Sequence, residues 1–175
     1  MSTVAEEPIV LPSLAEPRLL KAIMDAVQNG LVMCDARAKC VGISAVPHGD
    51  PSPITGLIGV HGRVSGFLTV NMAEKTAIKL VEGLLGEKYG SLTSQVVDGA
   101  GEITNIIVGG IKSALAGSTW AFSNITVPSV IIGKGYQIAY SKGLDFICAT
   151  FERTDPEAIL LEDRLFHVSM SLLRL

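Results

Sequence analysis

Charge is scarce in this sequence. Of 175 residues, only 18% are Asp, Glu, Lys or Arg, whereas 48% are hydrophobic; soluble domains typically carry roughly 25% charged residues. A basic excess is missing as well, since 14 Lys and Arg stand against 17 Asp and Glu for a formal net charge of −3. Phosphate-backbone binding needs that excess, so nucleic acid is not expected as a partner. Cysteine is limited to Cys34, Cys40 and Cys148, odd in number and without CxxC spacing. This speaks against a disulfide framework or a zinc knuckle and for free thiols in a cytoplasmic protein.

Long apolar runs are missing too. The charge-free stretch of membrane-spanning length, Ser113–Gly133, is interrupted by Gly117, Asn124, Pro128 and several Ser and Thr residues, so membrane insertion is not expected. The first residues lack the basic start and apolar core of a secretory signal. With Glu6, Glu7 and Glu16 among Pro8 and Pro12, residues 1–16 read as a flexible tail. No repeat with a period of roughly 20 to 50 residues stands out.

What remains is apolar and of single-domain size. Folding at this length removes roughly 70% of the unfolded chain's surface from water, and residues 17–175 read as one domain. A mean hydropathy of +0.44 exceeds what one core asks for, which suggests a core plus one further buried surface.

From Pro17, the spacing of Leu19, Leu20, Ile23, Met24, Val27 and Leu31 predicts a helix that ends near Asn29–Asp35. A short strand is expected at Cys40–Val46, followed by a proline-rich loop to Pro53. Ile54–Val60 and Ser65–Asn71 read as an antiparallel hairpin. Asn71 with Glu74 resembles a capping box opening a helix over Ala73–Leu85, stopped by Gly86. Ser94–Leu115 is the longest helical pattern, ended by Gly117. Strands are then expected at Asn124–Ile132, Tyr136–Tyr140, Leu144–Phe151 and Phe166–Leu173, with turns at Lys134-Gly135 and Lys142-Gly143. Helices and strands mix without strict βαβ alternation, which predicts an α+β, layered domain with a largely antiparallel sheet.

The long helix is the informative element. Val96, Ala100, Ile103, Ile107, Ile111 and Ala114 fall within roughly 80° of arc and define a core-facing side. Opposite them, Asp98, Glu102, Asn105 and Gly109 share a stripe of about 60°. Gly99, Gly101, Gly109 and Gly110 each cost about 1 kcal/mol relative to Ala, so something is expected to pack closely against this helix. On pattern alone, the stripe reads either as a functional face or as a solvated one.

Asp98-x3-Glu102-x2-Asn105, followed after 22 residues by Pro128, resembles the motif of the CheC/CheX/FliY family of chemotaxis phosphatases. The flanks Gly101-Glu102-Ile103-Thr104-Asn105 and Thr126-Val127-Pro128-Ser129-Val130 share the resemblance, which spans about Ile54 to Phe151. No second Glu-x-x-Asn occurs in the chain, so it looks most like the single-motif CheX branch.

That resemblance implies a phosphatase for the phospho-aspartate of a CheY-like response-regulator receiver domain. It implies that Asn105 orients the attacking water and that Glu102 pairs with the receiver's active-site lysine. Gly109 is expected at the partner interface; Asp98 either contacts the partner or only solvates the helix. Pro128 is expected to be structural, since it offers no polar side-chain atom. No cofactor is expected in the chain itself, Mg2+ being supplied by the receiver, and a homodimer would use the surplus apolar surface. The alternatives are a non-catalytic module that binds a receiver without turnover, or a purely structural dimer. His48, His61 and His167 lack ligand spacing and read as surface or loop residues. No Gly-x-Ser-x-Gly elbow or phosphate-loop lysine occurs, and Trp120 reads as a packing residue.

Overall fold

The helical period beginning at Pro17 forms α1 (Pro17–Met33), whose Leu19, Ile23, Val27 and Leu31 are buried. The computed structural model describes residues 17–46, 52–136, 138, 143–154 and 160–175. The expected tail over residues 1–16, His48, most of the expected strand Tyr136–Tyr140 and Lys142 of the second turn lie outside them.

Strand β1 (Ala38–Ser44) starts and ends two residues earlier than its apolar pattern implies. The expected hairpin forms from β2 (Ile54–Gly62) and β3 (Val64–Met72), with His61 opposite Ser65 and Ile54 opposite Met72. Helix α2 (Glu74–Leu85) follows and is closed by Gly86, which adopts the left-handed conformation at φ 71° and donates its N–H to Glu82.

The capping box at its start does not form. The residue before α2 is Ala73, without a side-chain cap, and Asn71 lies opposite Thr55 within the hairpin. Its amide oxygen accepts from the Ser52 N–H at 2.9 Å, while its Nδ2 donates to the Ser52 carbonyl at 2.9 Å and to Thr55 Oγ1 at 2.6 Å. A cap acts from the residue immediately before the first helical turn. Asn71, still in the strand, is committed to cross-strand bonds.

Helix α3 (Ser94–Leu115) opens on Thr93, whose hydroxyl accepts from the Val96 N–H at 3.3 Å, and Gly117 turns the chain at φ 73° just past its end. The single strand expected at Asn124–Ile132 is two, β4 (Phe122–Ile125) and β5 (Ser129–Ile132). Both pair with β2, β4 along Val60–Gly62 and β5 along Ile54–Leu57. Between them, Thr126 exchanges two bonds with Gly59, through its N–H and its hydroxyl, each 2.9 Å. Pro128 has no N–H to continue the ladder, and the strand breaks there.

With β6 (Asp145–Arg153) and β7 (Leu165–Arg174), the strands of the described residues form one sheet ordered β1-β6-β7-β3-β2, with β4 and β5 along the outer edge of β2. Every pairing is antiparallel. The fold is α+β, and the helices contact one another and the sheet. The core joins Ile54 and Ile58 of β2, Leu68 and Val70 of β3, and Val168 and Met170 of β7 to Ile103, Ile107 and Ile111 of α3. Fully burying one such side chain contributes about 1.5–3 kcal/mol.

Ala114, expected on the core side of α3, is exposed. The other five expected positions, Val96, Ala100, Ile103, Ile107 and Ile111, are buried, and burial extends further to Thr104, Val108 and Leu115. The inward face of α3 is therefore wider than the sequence-based stripe, since the helix packs against α1 and α2 as well as β2 and β5. Trp120 is buried with its ring 4.9 Å from the Arg174 guanidinium. Cys34, Cys40 and Cys148 are free thiols, and burial pushes Cys34 up to about 11. No helix among the described residues is long and apolar enough to cross a membrane.

Candidate functional site

The close approaches expected from the glycines of α3 occur at two of its sides. A Cβ on Gly99 would lie 2.6 Å from a Val81 methyl of α2, and one on Gly110 would lie 2.9 Å from the Ala26 Cβ of α1. On Gly101 it would lie 3.6 Å from the Pro128 ring. Opposite Gly56 of β2 sits the Thr104 side chain, whose hydroxyl donates back to the Ala100 carbonyl at 2.8 Å. Glycines thus let α1 and α2 close against α3, whereas the β4–β5 junction lies at ordinary contact distance from Gly101. Gly109 is different, since a Cβ there would meet nothing within 4 Å.

One stripe of α3 remains outside this packing, and it carries Asp98, Glu102, Asn105 and Gly109. Asp98 and Glu102 are exposed, and Asn105 and Gly109 are partly exposed. Side chains three and four residues apart on a helix lie about 5–6 Å from one another at Cβ, so the acid and the amide are neighbours. Among the described residues, none hydrogen-bonds or ion-pairs with the side chains of Asp98, Glu102 or Asn105. A carboxylate and a carboxamide held on a rigid helix without internal partners can engage an external cation and orient an external water.

Along the helix, Asn105 has Gly101 one turn before it and Gly109 one turn after it. Neither position places a side chain of its own one turn from the amide. Pro128 does not reach into the stripe by chemistry; it packs beside Gly101, at the break between β4 and β5. Val127 next to it is 83% exposed, although it is apolar. Only its place beside a strand-breaking proline could have pointed to it.

Neither His61 nor His167 belongs to this stripe. His61 is exposed on β2 with its Nδ1 2.5 Å from the Ser65 hydroxyl, and His167 lies 3.0 Å from Thr150 Oγ1. Among the described residues, no three His, Cys, Asp or Glu side chains gather as a metal site.

Among the described residues, an antiparallel sheet carries three packed helices, one of which presents Glu-x-x-Asn outward. The family model described as chemotaxis phosphatase CheX matches residues 54–152, and the chain belongs to that family. The match runs from β2 through β6 and contains the entire α3 stripe.

Solved structures share the fold. A CheC-like superfamily protein from Shewanella sp. PV-4 superposes with a TM-score of 0.74 at 24% identity, covering 89% of this chain and 97% of that one. CheX from Vibrio vulnificus gives 0.71 at 24% identity, covering 90% and 97%. CheX from Borrelia burgdorferi, crystallised with CheY, BeF3 and Mg2+, gives 0.67 at 19% identity and covers 89% and 96%. No curated protein matches the chain.

Proposed function

We propose that this chain accelerates hydrolysis of the phospho-aspartate of a CheY-like receiver domain. The observation that carries the reading is the placement of Glu102 and Asn105 on one outward stripe of α3, without internal partners, in a member of the CheX family. The Borrelia burgdorferi relative supports it as a complex of CheX with CheY.

The reaction suits these side chains. Hydrolysis of an acyl phosphate passes through a loose transition state that asks for an aligned nucleophile and neutralised charge more than for a strong base. The Asn105 amide has both donor and acceptor groups, so it holds a water in line with phosphorus while remaining unchanged itself. The water oxygen bonds to phosphorus as the bond from phosphorus to the aspartyl oxygen breaks, leaving a free carboxylate and inorganic phosphate. Glu102, about one turn away, pairs with the receiver's lysine and fixes the docking register. Asp98 extends the acidic end of the contact. The receiver brings the divalent cation, Mg2+, and this chain contributes no cofactor of its own.

The surplus of apolar residues fits self-association. Val41 and Ile43, each 48% exposed, lie on β1 at one edge of the sheet. An edge strand with exposed apolar side chains is suited to pairing with another copy, and a homodimer is the proposed state.

Mixing the chain with receiver domains phosphorylated by acetyl phosphate and following inorganic phosphate tests the function. Accelerated release from at least one receiver is expected. Binding without acceleration would make the chain a docking module instead.

A further inference from the structure

The outward stripe of α3 does not end at Asn105. Gly109 and Lys112 continue it, and at 1.5 Å per residue Lys112 lies about 10 Å further along the axis. Gly109 has open space where a side chain would go. Alanine is the better helix former, so neither the helix nor its packing asks for glycine at this position. Clearance for an approaching surface does.

One turn beyond, Lys112 and Ser113 enter a groove of about 630 Å3 between the end of α3, the β2–β3 turn and β4. Ala116 and Phe122 give it an apolar floor, and its charged groups are Lys112 and Arg63, both cationic. Among the described residues, neither side chain has an ion pair or hydrogen bond. In a chain with a formal charge of −3, two unpaired cations facing one groove are not an average surface. The dipole of α3 accounts for a cation in its last turn, where Lys112 sits. It does not account for Arg63, which lies off the helix on the turn between β2 and β3.

We propose that the docking surface for the receiver runs from Asn105 across Gly109 into this groove, where Lys112 and Arg63 receive an acidic segment of the receiver. The inference rests on the phosphatase reading and adds the partner's chemistry: one or more carboxylates about 10 Å from its phospho-aspartate, measured along the α3 axis. Unpaired charges at the rim of an interface steer encounter and make it salt-dependent. The groove therefore governs capture of the receiver, and the Glu102–Asn105 end governs turnover.

Steady-state dephosphorylation of a receiver domain phosphorylated with acetyl phosphate, at low and physiological salt, separates the two. The double reversal Lys112→Glu/Arg63→Glu is expected to raise KM by roughly tenfold, and the neutral pair Lys112→Gln/Arg63→Gln by about threefold, with kcat changed far less and the salt dependence flattened. Gly109→Leu, placed where a Cβ has open space around it, is expected to raise KM with an unchanged circular dichroism spectrum. KM values within about twofold of wild type at low salt for both double variants would overturn the docking inference. A wild-type chain that accelerates no receiver would instead overturn the phosphatase reading beneath it.

Discussion

Thr104 of α3 occupies the space that a side chain on Gly56 of β2 would need, and this contact seats the long helix on the sheet. Thr104 is fully buried, and its hydroxyl is fixed to the Ala100 carbonyl at 2.8 Å. Any enlargement of Gly56 must therefore move α3, which also carries Glu102 and Asn105. Gly56→Ala is expected to destabilise the fold by about 1–3 kcal/mol, as overpacking in a filled core does. Urea denaturation should show the loss, and a double-mutant cycle with Thr104→Ala should show coupling between the two sites.

Neighbouring glycines on α3 are expected to respond with opposite signs. Gly110→Ala brings a methyl within 2.9 Å of the Ala26 Cβ and 3.2 Å of its Cα, and should lower stability by about 1–3 kcal/mol. Gly109→Ala enters open space and should raise stability by up to about 1 kcal/mol through helix propensity. Denaturation midpoints of the two variants, measured side by side, check the pair.

Asn71 provides a test of the hairpin. Its amide bonds Ser52 and Thr55 rather than capping α2. Asn71→Ser keeps a good cap residue but shortens the reach to Ser52. It is expected to cost about 1–3 kcal/mol, the range for leaving buried polar groups unsatisfied. A variant as stable as wild type would show that these cross-strand bonds contribute nothing to stability.

Cys34 should make the fold weaken at alkaline pH. Burial raises its thiol from 9.0 to about 11, so the folded chain holds this proton where the unfolded chain has released it. The associated stability is complete below pH 9 and is lost as pH rises towards 11. Cys34→Ala should remove this part of the decline when stability is followed from pH 8 upwards, and Cys34 should resist thiol reagents near neutral pH.

Much of this architecture is legible in the residues. Period alone locates α1, α2 and α3, because each has an apolar face, and Gly86 and Gly117 mark the ends of the last two. The hairpin of β2 and β3 is legible in the same way. The break between β4 and β5 depends on what Thr126 and Pro128 meet on β2, a long-range pairing that local pattern does not carry. Asn71 misleads for the same reason, since its partners lie 16 and 19 residues away. At the site, helical spacing places Asp98, Glu102, Asn105 and Gly109 on one stripe. That Gly109 alone among the glycines of α3 faces open space emerges only once α1, α2 and the sheet are in place.

The most direct test of the account is the decay of a phosphorylated receiver domain with wild-type chain, with Asn105→Ala and with no chain. Wild type is expected to accelerate phosphate loss, and Asn105→Ala to return it to the spontaneous rate while still binding the receiver. An Asn105→Ala chain that accelerates phosphate loss as fast as wild type would contradict the role given to that amide.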